Sequence, residues 1–289
     1  MRYKEWLAFI ALGLVWGSSF LWIKIAVTEI GPLLLVSLRL LFGILALVSV
    51  AAFTRPAFPK DRNTWLALTF LGLINNALPY TLISWGEQYI DSSVAAILNS
   101  TTPLFTMIVA HLLLSDDRMT RSRISALLIG FAGIVILLTR DTGLEFRGSM
   151  EGKLAVLVAS ISYAFASVYA RRVTKGLTPV VQAAIPLLGA NLLIWTITPM
   201  AESPLTFPQL PVTWLAIIWL GVVGVALAFF LYFYLLHTVG PTRTVLVTYI
   251  FPLVGVILGV IFLQEHLDWQ LAVGAILIVG SIVVVNKTK

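Results

Sequence analysis

NTWLALTFLGLINNALPY at residues 63–80 and VTWLAIIWLGVVGVALAF at residues 212–229 are two copies of one pattern, 149 positions apart (212 minus 63). The register holds without a gap over 63–116 and 212–265. Pro103-Leu104 falls on Pro252-Leu253, and Leu114 falls on Leu263. The chain is a tandem duplication of apolar segments. If each copy crosses a bilayer an odd number of times, the second lies upside down relative to the first. Two such halves around a pseudo-two-fold axis in the membrane plane are the construction of many secondary transporters.

Composition places the chain in lipid. Of its 289 residues, 59% are hydrophobic and 11% charged, and the mean hydropathy is +0.98. A soluble domain carries about a quarter charged residues. The absence of cysteine excludes a disulfide framework, a thiolate metal site and a cysteine nucleophile. The three histidines, at 111, 237 and 266, are too dispersed for a metal centre. No nucleophile–base pair is recognisable, so an enzyme is not expected, and no cofactor is called for.

A bilayer core takes about 20 apolar residues of helix. Reading the apolar runs against their punctuation predicts ten spans: 6–27, 32–53, 64–86, 92–114, 121–139, 152–171, 178–200, 212–235, 241–263 and 269–286. Gly31-Pro32, Thr178-Pro179 and Gly240-Pro241 mark helix starts, since proline suits the first turn. The first run is read as a retained span rather than a signal peptide.

With the N-terminus in the cytoplasm, that side holds fourteen of the nineteen basic residues: Arg2, Lys4, Arg55, Lys60, Arg62, Arg118, Arg121, Arg123, Arg171, Arg172, Lys175, Arg243, Lys287 and Lys289. This bias predicts cytoplasmic N- and C-termini. The net charge of +6 then reflects orientation, and no nucleic-acid partner is expected. The expected fold is all-α and integral to the membrane. Ten helices form two inverted five-helix repeats, residues 1–139 and 150–289.

Polar groups inside a membrane are costly and mark a path or a site. Trp16 and Ser19 lie in the first span, Arg39 in the second, Asn75, Asn76 and Tyr80 in the third and Asn99 in the fourth. The second copy supplies Tyr163 and Tyr249. These nine are the expected substrate-binding residues. Each has a plainer reading, since membrane serines and threonines commonly bond their own helix. Gly13 with Gly17, and Gly255 with Gly259, read as close-packing faces. Trp6, Trp85 and Trp269 read as interface anchors.

Arg39 is the sharpest case. A guanidinium keeps its charge in proteins, so it needs water, an acceptor or an anionic ligand. Three readings stand open: snorkelling to the nearer surface, bonding to helix-end carbonyls, and contact with a substrate carboxylate or phosphate. For Lys24, nearer the surface, snorkelling is the expectation. Pro103 and Pro252 occupy matching positions, and paired helix-breaking prolines suit hinges or gates. No carboxylate sits in the middle of a span, and His111 is the one embedded proton-relay candidate.

The chain resembles the EamA-type drug/metabolite transporter superfamily over essentially its whole length. The resemblance rests on Trp16-Gly17-Ser18-Ser19-Phe20, on Arg39 within SLRLLFG, and on the two modules SVAAILNSTTPLFTMIVAHLLLSDD and VLVTYIFPLVGVILGVIFLQEHL with the spans that follow them. Glu265 stands after the span of the second module where Asp116 stands after that of the first, and the second copy lacks a W-G-S motif. The resemblance implies an inner-membrane, multi-pass carrier with a central cavity that opens alternately to either side, many relatives exporting amino acids or other metabolites. The similar small multidrug exporters use a first-helix glutamate, where this chain has Trp16 and Gly17. The expected function is export of small metabolites such as amino acids or related carboxylates, by alternating access. The expected partners are membrane lipid and a small-molecule substrate. A monomer suffices, with oligomeric state left open. The rival readings are an importer or exchanger of a sugar-derived, nucleotide or organic-anion metabolite, and a non-transporting membrane scaffold.

Overall fold

Eight helices of the computed structural model are long and apolar enough to cross a membrane: α1 (Tyr3–Ala26), α2 (Pro32–Thr54), α3 (Arg62–Gly86), α4 (Ser92–Leu113), α5 (Arg121–Leu138), α6 (Ser149–Val173), α7 (Pro179–Ala201) and α8 (Pro211–Tyr232). Two shorter apolar helices follow, α9 (Val247–Leu263) and α10 (Trp269–Ser281). The structure describes residues 2–114, 119–140, 146–239, 244 and 246–287. The expected helix start at Gly240-Pro241 lies outside these, as do Asp116, Arg118, Arg243 and Lys289. No strand occurs among the described residues. This is what lipid requires, because only a helix or a closed barrel satisfies its own backbone there.

The helix starts follow the punctuation. Gly31 precedes Pro32 at the start of α2, and Thr178 precedes Pro179 at the start of α7. Proline loses nothing there, since the first-turn N–H has no partner within the helix.

Packing brings α1 against α8 and α9, and α6 against α3 and α4. In addition α2 packs on α7, α4 on α9, and α5 on α10. Glycine makes the closest of these possible. A Cβ on Gly86 of α3 would stand 2.8 Å from the Gly152 carbonyl of α6, and one on Gly152 would stand 2.8 Å from that of Gly86. Gly13 and Gly17 let α1 lie against Ile250 and Val254 of α9, as their spacing predicted. Large apolar side chains also face outward, among them Leu14, Leu45, Leu128 and Phe262, and Trp6 and Trp269 are exposed near helix ends. Such a surface is stable against lipid tails and not against water.

α1 is interrupted at Ser18, and four further helices are irregular at matching places. α3 contains a wide π turn at Leu73–Ala77, and α8 contains one at Trp219–Leu227. Adding 149 to 73–77 gives 222–226, inside the second. α4 breaks at Ser100 and Thr101, between Ser92–Asn99 and Thr102–Leu113. The same shift lands on 249 and 250, where a tight 3-10 turn (Leu246–Tyr249) gives way to the α-helix Ile250–Leu263.

Candidate functional site

Pro79 explains the π turn of α3. The N–H of Leu78 bonds the Leu73 carbonyl, five residues back. The carbonyl of Ile74 next needs a donor, and Pro79 has no N–H to give. Ser162 of α6 supplies it, its hydroxyl donating to Ile74 O at 2.7 Å. α8 has no proline at the equivalent place, Ala228. There the indole of Trp16 donates to the carbonyl of Gly224 at 3.1 Å. Each first helix of one copy thus supports the π turn in the third helix of the other.

This geometry decides what the predicted residues of α1 do. Trp16 is held by Gly224 and packs 5.9 Å from both Tyr232 and Phe251, ring to ring. Ser19 is buried and bonds Val15 O of its own helix at 3.3 Å, and the Ser18 hydroxyl accepts from Trp219 at 3.1 Å. Both polar groups of the predicted pair are thereby engaged by protein.

The break in α4 is built similarly. Pro103 cannot donate to the carbonyl of Asn99, and the Thr102 hydroxyl does so instead at 2.8 Å. Ser100 and Thr101 bond Ile97 O and Leu98 O, each at 2.6 Å. The side-chain oxygen of Asn99 is buried without a hydrogen-bond partner among the described residues. Pro103 and Pro252 both lie within the first three residues of the helical piece after the break, and Tyr249 is half-buried at the second break.

Four predicted residues from three helices do converge. Arg39 of α2 is 5% exposed, and its guanidinium carbon lies 3.8 Å from the centroid of the Tyr80 ring of α3. A cation so placed gains about 0.5–2 kcal/mol from the ring face. Its Nε has no hydrogen-bond partner among the described residues. Buried, it does not snorkel. Asn76 donates to the Tyr80 hydroxyl at 3.5 Å, and Tyr163 of α6 lies within electrostatic reach of Tyr80 and Arg39. Asn75, beside them in sequence, is half-buried.

The sequence reading missed how this cluster continues. Beyond the π turn, Tyr80, Ser84 and Glu87 follow Asn76 at steps of four, four and three, the spacing of one helix face. The Ser84 hydroxyl and both oxygens of the Glu87 carboxyl are buried without a hydrogen-bond partner among the described residues. Glu87, in the turn after α3, has no solvent exposure at all. Its burial pushes the carboxyl well above the ordinary range. Lys24 opposes the rise, Glu265 adds to it and Arg39 opposes it. The signal was available as periodicity, but Glu87 stands one residue beyond the predicted third span, 64–86.

Charged side chains tie the helix ends together at the end of the bundle distal to the N-terminus. Glu202 accepts from the amides of Leu33 and Leu34 at 2.7 and 3.0 Å, capping α2. Glu265 accepts from Ser92 and Ser93 at 2.7 and 3.0 Å, capping α4. Glu29 accepts from Gln209 and Leu210 ahead of α8 at 2.5 and 2.9 Å. A carboxylate at a helix N-terminus satisfies free N–H groups and favours the helix dipole. Lys24 donates to the carbonyls of Glu87 and Ile90 at 2.6 and 2.8 Å, so it ends α3 and does not snorkel. Arg140 pairs with Asp91 at 3.0 Å and Asp268 at 2.5 Å.

His111, in the last turn of α4, is exposed at the surface of the bundle, and its Nδ1 accepts from the amide of Met119 at 3.2 Å. A groove of about 410 Å³ lies between α3 and α6, lined by Phe70, Ile74, Leu78, Phe165, Tyr169 and Arg172 among others. Phe70, Leu78 and Phe165 are exposed, so this groove opens on the outer, apolar surface. The polar chemistry lies elsewhere, at Arg39.

Comparison with known proteins agrees with this architecture. The EamA-like transporter family matches twice, over residues 4–139 and 150–287. The uncharacterized inner membrane transporter YedA of Escherichia coli K12 is 30% identical, over 99% of this chain and 94% of that one. The uncharacterized transporter YoaV of Bacillus subtilis is 22% identical, over 95% and 94%. The WAT1-related chloroplastic protein At3g02690 of Arabidopsis thaliana is 23% identical, over 98% and 70%. A solved crystal structure superposes with a TM-score of 0.68 at 21% identity, covering 99% of this chain and 97% of its own, which establishes the likeness of fold. The chain belongs to the EamA-like transporter family, and is a multi-pass inner-membrane transporter of the drug/metabolite transporter superfamily.

Proposed function

We propose that this transporter exports amino acids or related small carboxylates by alternating access. Arg39 carries the reading. A buried guanidinium whose Nε has no partner among the described residues, stacked on Tyr80 and flanked by Asn76 and Tyr163, is a site for an anionic group. Asn99 offers a further free acceptor at the α4 break.

The carrier has ten spans in two inverted halves, 1–139 and 150–289, with both termini cytoplasmic. The two family matches support this division, as do the π turns and helix breaks recurring at a shift of 149. So does the packing of α6 on α3 and α4, mirrored by that of α1 on α8 and α9. The distal ties hold one closed state, and the breaks beside Pro103 and Pro252 serve as hinges. Trp16 and Ser19 are supports of the cavity wall, and Asn75 and Tyr249 line it.

Purified protein in liposomes, loaded with unlabelled amino acids and organic acids and challenged with tritiated ones, tests the proposal. Uptake in wild type and its loss in Arg39→Ala are expected. No movement of either class, or undiminished carboxylate movement in Arg39→Ala, would overturn it.

A further inference from the structure

We infer that Glu87 is the second half of a zwitterion site: with Arg39 holding the carboxylate of an α-amino acid, Glu87 receives either its ammonium group or a proton, never both. The inference rests on the carrier reading above and sharpens its substrate class and coupling.

Geometry supports it first. Glu87 and Arg39 are near enough for their charges to interact. The helical path from Tyr80, on which Arg39 is stacked, to Glu87 is seven residues, about 10 Å at 1.5 Å per residue. Asn76, Tyr80, Ser84 and Glu87 thus follow one face of α3 into its final turn, with Arg39 stacked on Tyr80 partway along it. The intervening face carries the unpartnered Ser84 hydroxyl. Other carboxylates of this region are already committed: Glu265 to the amides of α4, Asp91 and Asp268 to Arg140. Glu87 has no such commitment among the described residues.

The surrounding charges define the choice it makes. From α1, Lys24 is bonded to the Glu87 and Ile90 carbonyls. From α2 comes Arg39, and from the α9–α10 turn Glu265. On its own turn Asp91 pairs with Arg140, whose carbonyl takes Lys153 of α6 at 2.5 Å. Tyr163 of α6 faces Arg39 and Tyr80. A fully buried carboxylate without hydrogen bonds is held poorly as an anion. In the empty, closed site it therefore holds a proton. An arriving ammonium replaces that proton, which leaves to water on the substrate's side of entry. After release on the other side, the Glu87 carboxylate takes a proton from water there. One proton enters for each amino acid that leaves, and no bond other than O–H is made or broken.

Wild type, Glu87→Gln and Glu87→Asp, each in liposomes, decide the matter with two sets of tritiated probes: neutral α-amino acids, and the same acids without the amino group. Wild type is expected to prefer amino acids by about tenfold or more, since the amine-free acid leaves Glu87 unmatched. An inward-directed proton gradient should raise amino-acid efflux several-fold. In Glu87→Gln both the preference and the gradient response should vanish, whatever its counterflow rate. Glu87→Asp should regain the response with a shifted pH dependence, which separates chemistry from misfolding. Infrared difference spectra of wild type against Glu87→Gln should contain a protonated carboxyl band. An undiminished gradient response in Glu87→Gln, a missing carboxyl band, or equal handling of both probe sets by wild type overturns this inference alone. A wild type that moves neither set fails the carrier reading and takes the inference with it.

Discussion

Ser162 and Ile74 are joined by a 2.7 Å hydrogen bond between α6 and α3, and the hydroxyl stands in for the N–H that Pro79 lacks. Trp16 and Gly224 form the corresponding bond between α1 and α8. A π turn inside a membrane helix exposes a carbonyl that water cannot reach, and the opposing copy provides the donor. Both wide turns lie in the segments whose likeness first revealed the duplication.

Ser162→Ala should therefore lower stability by about 1–2 kcal/mol, the cost of an unsatisfied buried carbonyl. Pro79→Ala restores an N–H to the turn. In the double variant the two losses should not add, and a thermal-unfolding mutant cycle in detergent measures the coupling. Simple additivity would show that Ser162 does not serve this turn.

Trp16→Phe keeps an aromatic ring beside Tyr232 and Phe251 and removes the donor to Gly224. A loss of about 1 kcal/mol in stability is expected, with little change in substrate preference. A changed preference at intact stability would return Trp16 to the binding site.

At Tyr80 the ring face and the hydroxyl can be separated. Tyr80→Phe keeps the face under Arg39 and should alter substrate affinity less than Tyr80→Leu does. The latter removes a cation–π contact of about 0.5–2 kcal/mol, or roughly two- to thirty-fold in affinity. Concentration dependence of counterflow gives both values.

The pH dependence of stability follows from Glu87. Its ordinary value is 4.5, and burial raises it in the folded protein. An acid with a raised folded value is still protonated in the folded state when the unfolded chain has ionised. Its favourable contribution is complete below about pH 4.5 and is lost as pH rises toward the folded value. As pH rises above about 4.5, the melting midpoint of wild type should fall more than that of Glu87→Gln. Parallel curves would mean that Glu87 ionises normally.

Because the chain has no cysteine, single introduced cysteines report on closure of the distal end. Ser93, fully buried beneath the Glu265 cap, should resist a membrane-impermeant maleimide when changed to Cys. Adding Arg140→Gln, which removes the ties to Asp91 and Asp268, should accelerate labelling several-fold. Unchanged labelling would show that Arg140 does not hold this end closed.

Much of the architecture was legible in the sequence. Apolar runs, Gly-Pro starts at Gly31-Pro32 and the close-packing pair Gly13 and Gly17 depend on residues within a few turns of each other. The convergence of Arg39, Asn76, Tyr80 and Tyr163 was legible only as a list of polar residues at similar depth. Trp16 and Ser19 stood on the same list and are engaged by Gly224 and Val15. Hydropathy cannot distinguish a polar group consumed by a hydrogen bond from one left free.

The sequence alone determined that this protein lives in lipid, that it is duplicated, and which residues are costly there. These follow from composition and local spacing. The tertiary structure decided which of those costs are met. Ser162 meets the carbonyl of Ile74 across 88 positions of chain, and Lys24 turns to the end of α3 across 63. Arg39 and Glu87 keep atoms in the interior that have no hydrogen-bond partner among the described residues. Whether a buried charge is spent on structure or left for a ligand depends on what the fold brings beside it, and that is set by packing between helices distant in the chain.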